Sequence, residues 1–280
     1  MFHLAPSISR PLLAVCAIVT VSELAWAQGH PRSKPARRAS ADGEVDSTFD
    51  TLAPALVMPS RYRSRRDSVA SVRTRSAALL ETGLRIVISL NDRQLWLMLG
   101  PDTLYNAPVG VSTDSTLEYS GKTWRFETPR GVRSVLAKHE NPVWIPPDWH
   151  YAEVARNHSL ALAAMTRRRT MLSDGNWLEV RNDTVGVVDA TSREFAALPT
   201  NEEIVFDGTL FIPPVTSVNR RIEGELGFHS LDTGDGILLH GTPHKASIGE
   251  ATTHGCIRLR DEDILWLYQV IPLETQVYIY

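Results

Sequence analysis

His240-Gly241-Thr242, followed by Thr253-His254-Gly255-Cys256-Ile257-Arg258, is the stretch on which the reading of this chain turns. The 280-residue chain has two cysteines, Cys16 and Cys256. Cys16 lies in an amino-terminal segment expected to be removed, which leaves one thiol with no disulfide partner. A lone thiol in an exported protein is either buried and inert or reactive. The neighbours of Cys256 favour the reactive reading. His254 lies two residues before it, Gly255 directly before it and His240 sixteen residues upstream. A free thiol has a pKa of about 8.5, so little of it is thiolate at neutral pH. A nearby imidazole can take the proton or, as imidazolium, lower the thiol pKa. Gly255 lets the backbone turn tightly and exposes peptide N–H groups, which are candidates for an oxyanion hole. Arg258 offers a fork to a carboxylate.

Outward from this stretch the chain reads as short strands and turns. Ile237-Leu238-Leu239 is a buried strand that delivers His240 at its end. After the cysteine, Asp261 is expected to cap a helix with Ile264, Leu267, Tyr268 and Ile271 at helical spacing. Gln276–Tyr280 reads as a closing strand. Upstream, order is expected from about Gly83. Arg85–Leu90, Gln94–Leu99 and Thr103–Val111 are β-type runs separated by Asn91-Asp92-Arg93 and Gly100-Pro101-Asp102. Such runs predict an antiparallel meander. Asp148 is expected to cap a helix through Tyr151, Val154 and Ala155.

The motif Thr253-His254-Gly255-Cys256-Ile257-Arg258, with His240-Gly241-Thr242 before it, resembles the signature of the L,D-transpeptidase catalytic domain. Thr128-Pro129-Arg130-Gly131 and Asn141-Pro142-Val143-Trp144-Ile145-Pro146-Pro147 are similar to further elements of that family. The resemblance covers about residues 84–155 and 224–280. It implies a mainly β domain, a sandwich or barrel with one or two peripheral helices. It also implies a cysteine acyl-enzyme on a peptidoglycan stem peptide, with D-Ala leaving. Cys256 is then the nucleophile and His240 its base, oriented by the carbonyl of Gly241. His254 matches a second family histidine that acts in the site or supports it, and Thr253 belongs to the same motif. Arg258 binds a substrate carboxylate or braces the cysteine loop. Trp144 lines the groove or plugs the core. The acceptor is left open: a second stem, another amine, or water in an L,D-carboxypeptidase. A non-catalytic peptidoglycan-binding protein is the further alternative. No cofactor and no nucleic-acid partner are implied, and the oligomeric state is not legible.

Residues 156–222 depart from the compact family pattern. The run Arg167-Arg168-Arg169, the turn Asp174-Gly175-Asn176 and β-like runs at 177–188 and 204–212 suggest an inserted α/β subdomain or lid.

Composition adds an address. Residues 1–27 read as a secretory signal: Arg10, a mostly apolar run from Pro11 to Ser22, and Ala25-Trp26-Ala27 as cleavage site. The apolar run is shorter than the ~20 residues that a membrane span needs. Export to a periplasm or cell envelope is therefore expected. Residues 28–80 carry ten Lys/Arg against five Asp/Glu, whereas residues 81–280 carry eighteen against twenty-six. The first stretch reads as a basic disordered linker, either a plain tether or an attachment to an anionic envelope polymer. The catalytic domain is expected over 81–280.

A rival reading is a zinc site built from His240, His244, His254 and Cys256. Pro243 opposes a helix through the first two histidines, and no acidic general base accompanies them as in His-Glu-x-x-His. The expectation is no metal. His229 and His244 read as surface or polar-core residues.

Overall fold

The computed structural model describes residues 62–166 and 168–280. The expected signal segment, and residues 28–61 of the expected linker, lie outside the described residues.

Two sheets enclose the main core. The first has five strands, in the order Asp102–Pro108, Gln94–Leu99, Arg85–Ser89, Gln276–Ile279 and Gly131–Ser134. All five residues of Arg85–Ser89 are buried, as befits a central strand. It runs antiparallel to Gln94–Leu99 and parallel to Gln276–Ile279. Buried Arg85 is accommodated because its guanidinium donates to Gly83 O at 3.1 Å and Gly100 O at 2.9 Å. The expected turns at 91–93 and 100–102 separate the first three strands, which pair as an antiparallel meander.

The second sheet orders Ile257–Arg258, Leu238–His240, His229–Asp232 and Ala137–Glu140. Helix α3, by its place in the chain, spans Asp261–Val270, and its buried Ile264 and Leu267 pack into the same core as Leu231, Leu239 and Ile257. The domain is mainly β with three helices, and its sheets form no closed barrel among the described residues.

The expected caps differ in detail. The cap of α3 is Arg260 and that of helix α2, Asp148–Asn157, is Pro147; neither makes a side-chain cap bond. Asp148 and Asp261 instead occupy the first helical turn, where a carboxylate suits the positive end of the helix dipole. Asp148 also accepts from Arg220 Nη2 at 2.8 Å.

The linker expectation needs correction over its last part. Residues Arg65–Leu80 form helix α1, capped by Ser64, whose side chain accepts from the Asp67 N–H at 3.1 Å. Its inward face is Ser71, Thr74 and Ala78. Ala78 packs with Val87 and Tyr278, beside Trp96 and Met98, on the outer face of the first sheet. A stripe of small residues carries no apolar period, and the surrounding arginines resemble a tether. That combination concealed the helix.

The 156–222 segment is built from strands. Thr170–Met171, Trp177–Arg181, Thr184–Val188 and Phe195–Ala197 form one sheet; Ile204–Phe206, Thr209–Ile212 and Ala161–Ala164 form another. Instead of the expected α/β mixture, the segment has the end of α2 and one 3-10 turn, Val218–Arg220. A core of Met165, Leu172, Leu178, Val185, Ile204 and Phe211 serves these sheets. Arg220 ties the segment back: it is buried and donates to Pro146 O at 2.9 Å and Pro213 O at 3.0 Å.

Candidate active site

The parallel pairing of Leu238–His240 with Ile257–Arg258 puts His240 opposite Arg258, two residues past the cysteine. A cleft of about 390 Å³ opens over this edge, lined by His240, Thr253, His254, Gly255, Cys256, Arg258 and Trp144 among others. Every expected site residue except Gly241 therefore lines one cleft. Gly241 stands behind it.

His240 is 3 % exposed, and its Nδ1 lies 2.6 Å from Gly241 O. That carbonyl only accepts, so it fixes the proton on Nδ1 and leaves Nε2 as the basic nitrogen. Burial pushes the imidazole pKa down to about 4, against the pull of the Gly241 carbonyl. A Cβ at 241 would displace Asp261 Oδ1 and crowd Gly227, so glycine fits this position best.

Cys256 is half-buried, and its Sγ–H donates to Gly236 O at 3.5 Å. Burial raises the thiol pKa, while the Leu238 amide and the Arg258 charge pull it down. Burial thus acts against the thiolate that an imidazolium would favour, and against the imidazolium itself. The partly enclosed setting disfavours both charged forms.

The loop that carries the thiol is braced from within and behind. Thr253 Oγ1 donates to Cys256 O at 2.6 Å and accepts from Gly255 N at 3.3 Å. Gly255 has φ +144°, which disfavours a side chain, and its carbonyl accepts from buried Thr128 Oγ1 at 2.9 Å. With the Gly255 N–H engaged, the Cys256 N–H is the better oxyanion donor; no acceptor for it is found among the described residues.

His254 is held from the side by Glu153 and Trp149. Its Nε2 lies 3.1 Å from Glu153 Oε2, and its ring stacks on Trp149 at 4.0 Å. Burial lowers its pKa and Glu153 opposes that shift. Arg258 lies 3.6 Å from Glu225, which also meets His244 Nε2 at 3.2 Å. His244 is exposed, and His229 packs against Tyr268 at 4.7 Å. Trp144 is half-buried and stands beside Trp149 and His150, so it faces the groove rather than plugging the core. No group of three or more His, Cys, Asp or Glu that could hold a metal ion occurs among the described residues.

Sequence reading missed Glu153, Trp149, Thr128, Glu203 and Glu225. Only Thr128 had a signal, inside Thr-Pro-Arg-Gly, and there it read as part of a family-like element with no assigned role.

A model of the L,D-transpeptidase catalytic domain matches residues 83–279. The chain is 38 % identical over 55 residues to the probable L,D-transpeptidase YbiS of Escherichia coli, covering 20 % of this chain and 18 % of that protein. It is 26 % identical over 178 residues to the probable L,D-transpeptidase ErfK/SrfK of Salmonella typhimurium, covering 63 % of this chain and 40 % of the relative. These matches thus span less than half of the relatives' length. A crystal structure of the L,D-transpeptidase from Xylanimonas cellulosilytica aligns at 14 % identity and TM-score 0.38, over 71 % of this chain and 61 % of that one.

Proposed function

The chain belongs to the L,D-transpeptidase catalytic domain family, and from that premise we propose that it cleaves a peptidoglycan stem peptide through a Cys256 acyl-enzyme and passes the acyl group to an amine. The observation that carries this reading is the meeting of Cys256, His240 and Arg258 in one cleft, with His240 Nδ1 fixed on Gly241 O.

The reaction follows from that arrangement. The thiol turns from Gly236 O toward the substrate carbonyl between the third residue of the stem and D-Ala. Because both groups are neutral at rest, the thiol proton moves to His240 Nε2 as the S–C bond forms. The Cys256 N–H receives the developing oxyanion. The C–N bond then breaks, and the imidazolium, an acid with a pKa of about 4 in this setting, returns the proton to the departing D-Ala amine. An acceptor amine attacks the thioester, gives its proton to His240 and releases the thiol. Arg258 is placed to receive a stem carboxylate in exchange for its long contact to Glu225. Thr253, Gly255 and Thr128 keep the loop in register.

The substrate lies outside the cytoplasmic membrane, so an exported, envelope-facing protein fits this chemistry. Incubating the protein with purified disaccharide-tetrapeptide tests it. Mass spectrometry is expected to detect a Cys256-bound acyl group, free D-Ala and a cross-linked dimer. A tripeptide alone would make the protein an L,D-carboxypeptidase. No adduct on Cys256 and no consumption of the tetrapeptide would leave a peptidoglycan-binding protein.

A further inference from the structure

The segment just before the matched domain reaches the back of the catalytic loop. Arg63 precedes α1 by two residues, and its guanidinium is shared among three acceptors. Nη1 donates to Glu127 Oε2 at 2.7 Å, and Nη2 donates to Phe126 O at 3.2 Å and lies 3.3 Å from Asp114 Oδ1. One turn further on, Asp67 takes Arg130 Nε at 2.8 Å, and the Arg130 guanidinium lies over the Tyr62 ring. Residues 62–67 therefore grip a short strip, Phe126 to Arg130, from outside.

That strip faces the thiol loop on its other side. The Phe126 ring meets the edge of His254 at 4.3 Å. The Glu127 carbonyl lies so close to Gly255 that a Cβ there would sit 3.2 Å from it. Thr128 Oγ1 donates to Gly255 O at 2.9 Å. Three consecutive residues thus bear on the two residues that precede Cys256, and Arg63 holds two of the three.

We propose that Arg63 is a positioning residue: through Phe126 and Glu127 it sets the His254-Gly255-Cys256 peptides, and hence the thiol and its oxyanion donor, in reacting position. The inference rests on the acyl-transfer reading for its effect on turnover, but not for its effect on the loop. It makes the Tyr62–Leu80 segment part of the catalytic unit, although the family match begins only at residue 83. The guanidinium suits the task because its planar fork reaches a carboxylate and a carbonyl together, which a single ammonium does not.

The test compares wild type, Arg63→Ala, Arg63→Lys and Arg73→Ala in the full chain. Arg73 is exposed on α1 and makes none of the described ion pairs. Hydrogen exchange of the peptide spanning 251–258, iodoacetamide alkylation of Cys256 and turnover of tetrapeptide are measured together. In Arg63→Ala the loop is expected to exchange faster, and kcat to fall by between about tenfold and a hundredfold with KM nearly unchanged, the scale on which ~1 Å of misplacement acts. Arg63→Lys is expected to recover only part. The melting temperature is expected to drop by less than about 4 °C, because exposed ion pairs contribute little to global stability. Loop exchange and per-thiol rates equal to wild type in Arg63→Ala, or equal losses in Arg73→Ala, would overturn the proposal. If wild type itself consumes no tetrapeptide, the acyl-transfer reading fails, and loop exchange and Cys256 alkylation still decide the role of Arg63.

Discussion

The main body and the 161–212 segment are both built from strands, yet they hold themselves together differently. The body gathers seventeen buried hydrophobic residues in one cluster, none more than 4 % exposed; the segment gathers six, up to 9 % exposed at Met165. The larger cluster includes Leu239 and Ile257, direct sequence neighbours of His240 and Cys256. His240 therefore stands at the end of a fully packed strand, and Cys256 in the loop directly before one. Among the described residues, the segment reaches the cleft only by Glu203. The body thus carries the buried framework under the cleft, and the segment stands at its rim.

The sharpest way to break that division is at the thiol. Cys256→Ala is expected to abolish turnover and acylation by a β-lactam while leaving far-UV circular dichroism unchanged. Residual turnover in that variant would end the cysteine mechanism.

Core truncations test the division next. Leu239→Ala and Leu178→Ala each remove a side chain that is 0 % exposed, and each is expected to cost about 2–5 kcal/mol in its own region. Denaturant unfolding and alkylation of Cys256, measured on both, separate the two. Leu239→Ala is expected to change the alkylation rate, Leu178→Ala to leave it within about twofold. Equal changes would mean that the segment and the body behave as one mechanical unit.

The buried imidazole gives a pH signature. His240 has a pKa of about 4 in the folded chain against about 6.5 unfolded, so the unfolded chain binds its proton first. The stability it permits is fully present above pH 6.5 and is lost as pH falls toward 4, by about 3 kcal/mol. Burial lowers His254 and His150 as well, which adds loss in the same direction. Urea unfolding at several pH values is expected to give a flatter profile for His240→Asn than for wild type.

Smaller effects sharpen the picture further. Thr128→Val leaves the buried Gly255 carbonyl without its donor, a cost of about 1–3 kcal/mol. It is expected to slow Cys256 acylation more than unfolding data alone would suggest. Glu203→Gln, the segment's own contribution to the cleft, is exposed and is expected to shift stability by less than about 0.5 kcal/mol. Its acylation rate, read with the same β-lactam, is expected within twofold of wild type.

The same division explains what the sequence discloses. The opening meander, the strand into His240 and the cysteine loop are encoded locally, by alternation, turn residues and contiguous motifs, and they are legible. Glu153 is 101 residues from His254, and Thr128 is 127 from Gly255. Neither pairing leaves a local pattern, because only the assembled sheets bring the partners together. Helix α1 was hidden for a different reason: its docking face is Ser71, Thr74 and Ala78, which fit the sheet by being small rather than apolar. The thiol pKa also escaped, since spacing to a histidine says nothing of how enclosed both groups are.

The strand Gln276–Ile279 lies between Arg85–Ser89 and Gly131–Ser134 and is the link between them in the first sheet. Its parallel partner is about 190 residues earlier: Arg85 pairs with Gln276. Closing so long a loop makes assembly slow and late. Until Gln276–Ile279 is in place, Arg85–Ser89 presents an open edge to any other strand. A chain stopped at Thr275 would keep Cys256, His240 and Arg258 and lose the strand that links Arg85–Ser89 to Gly131–Ser134.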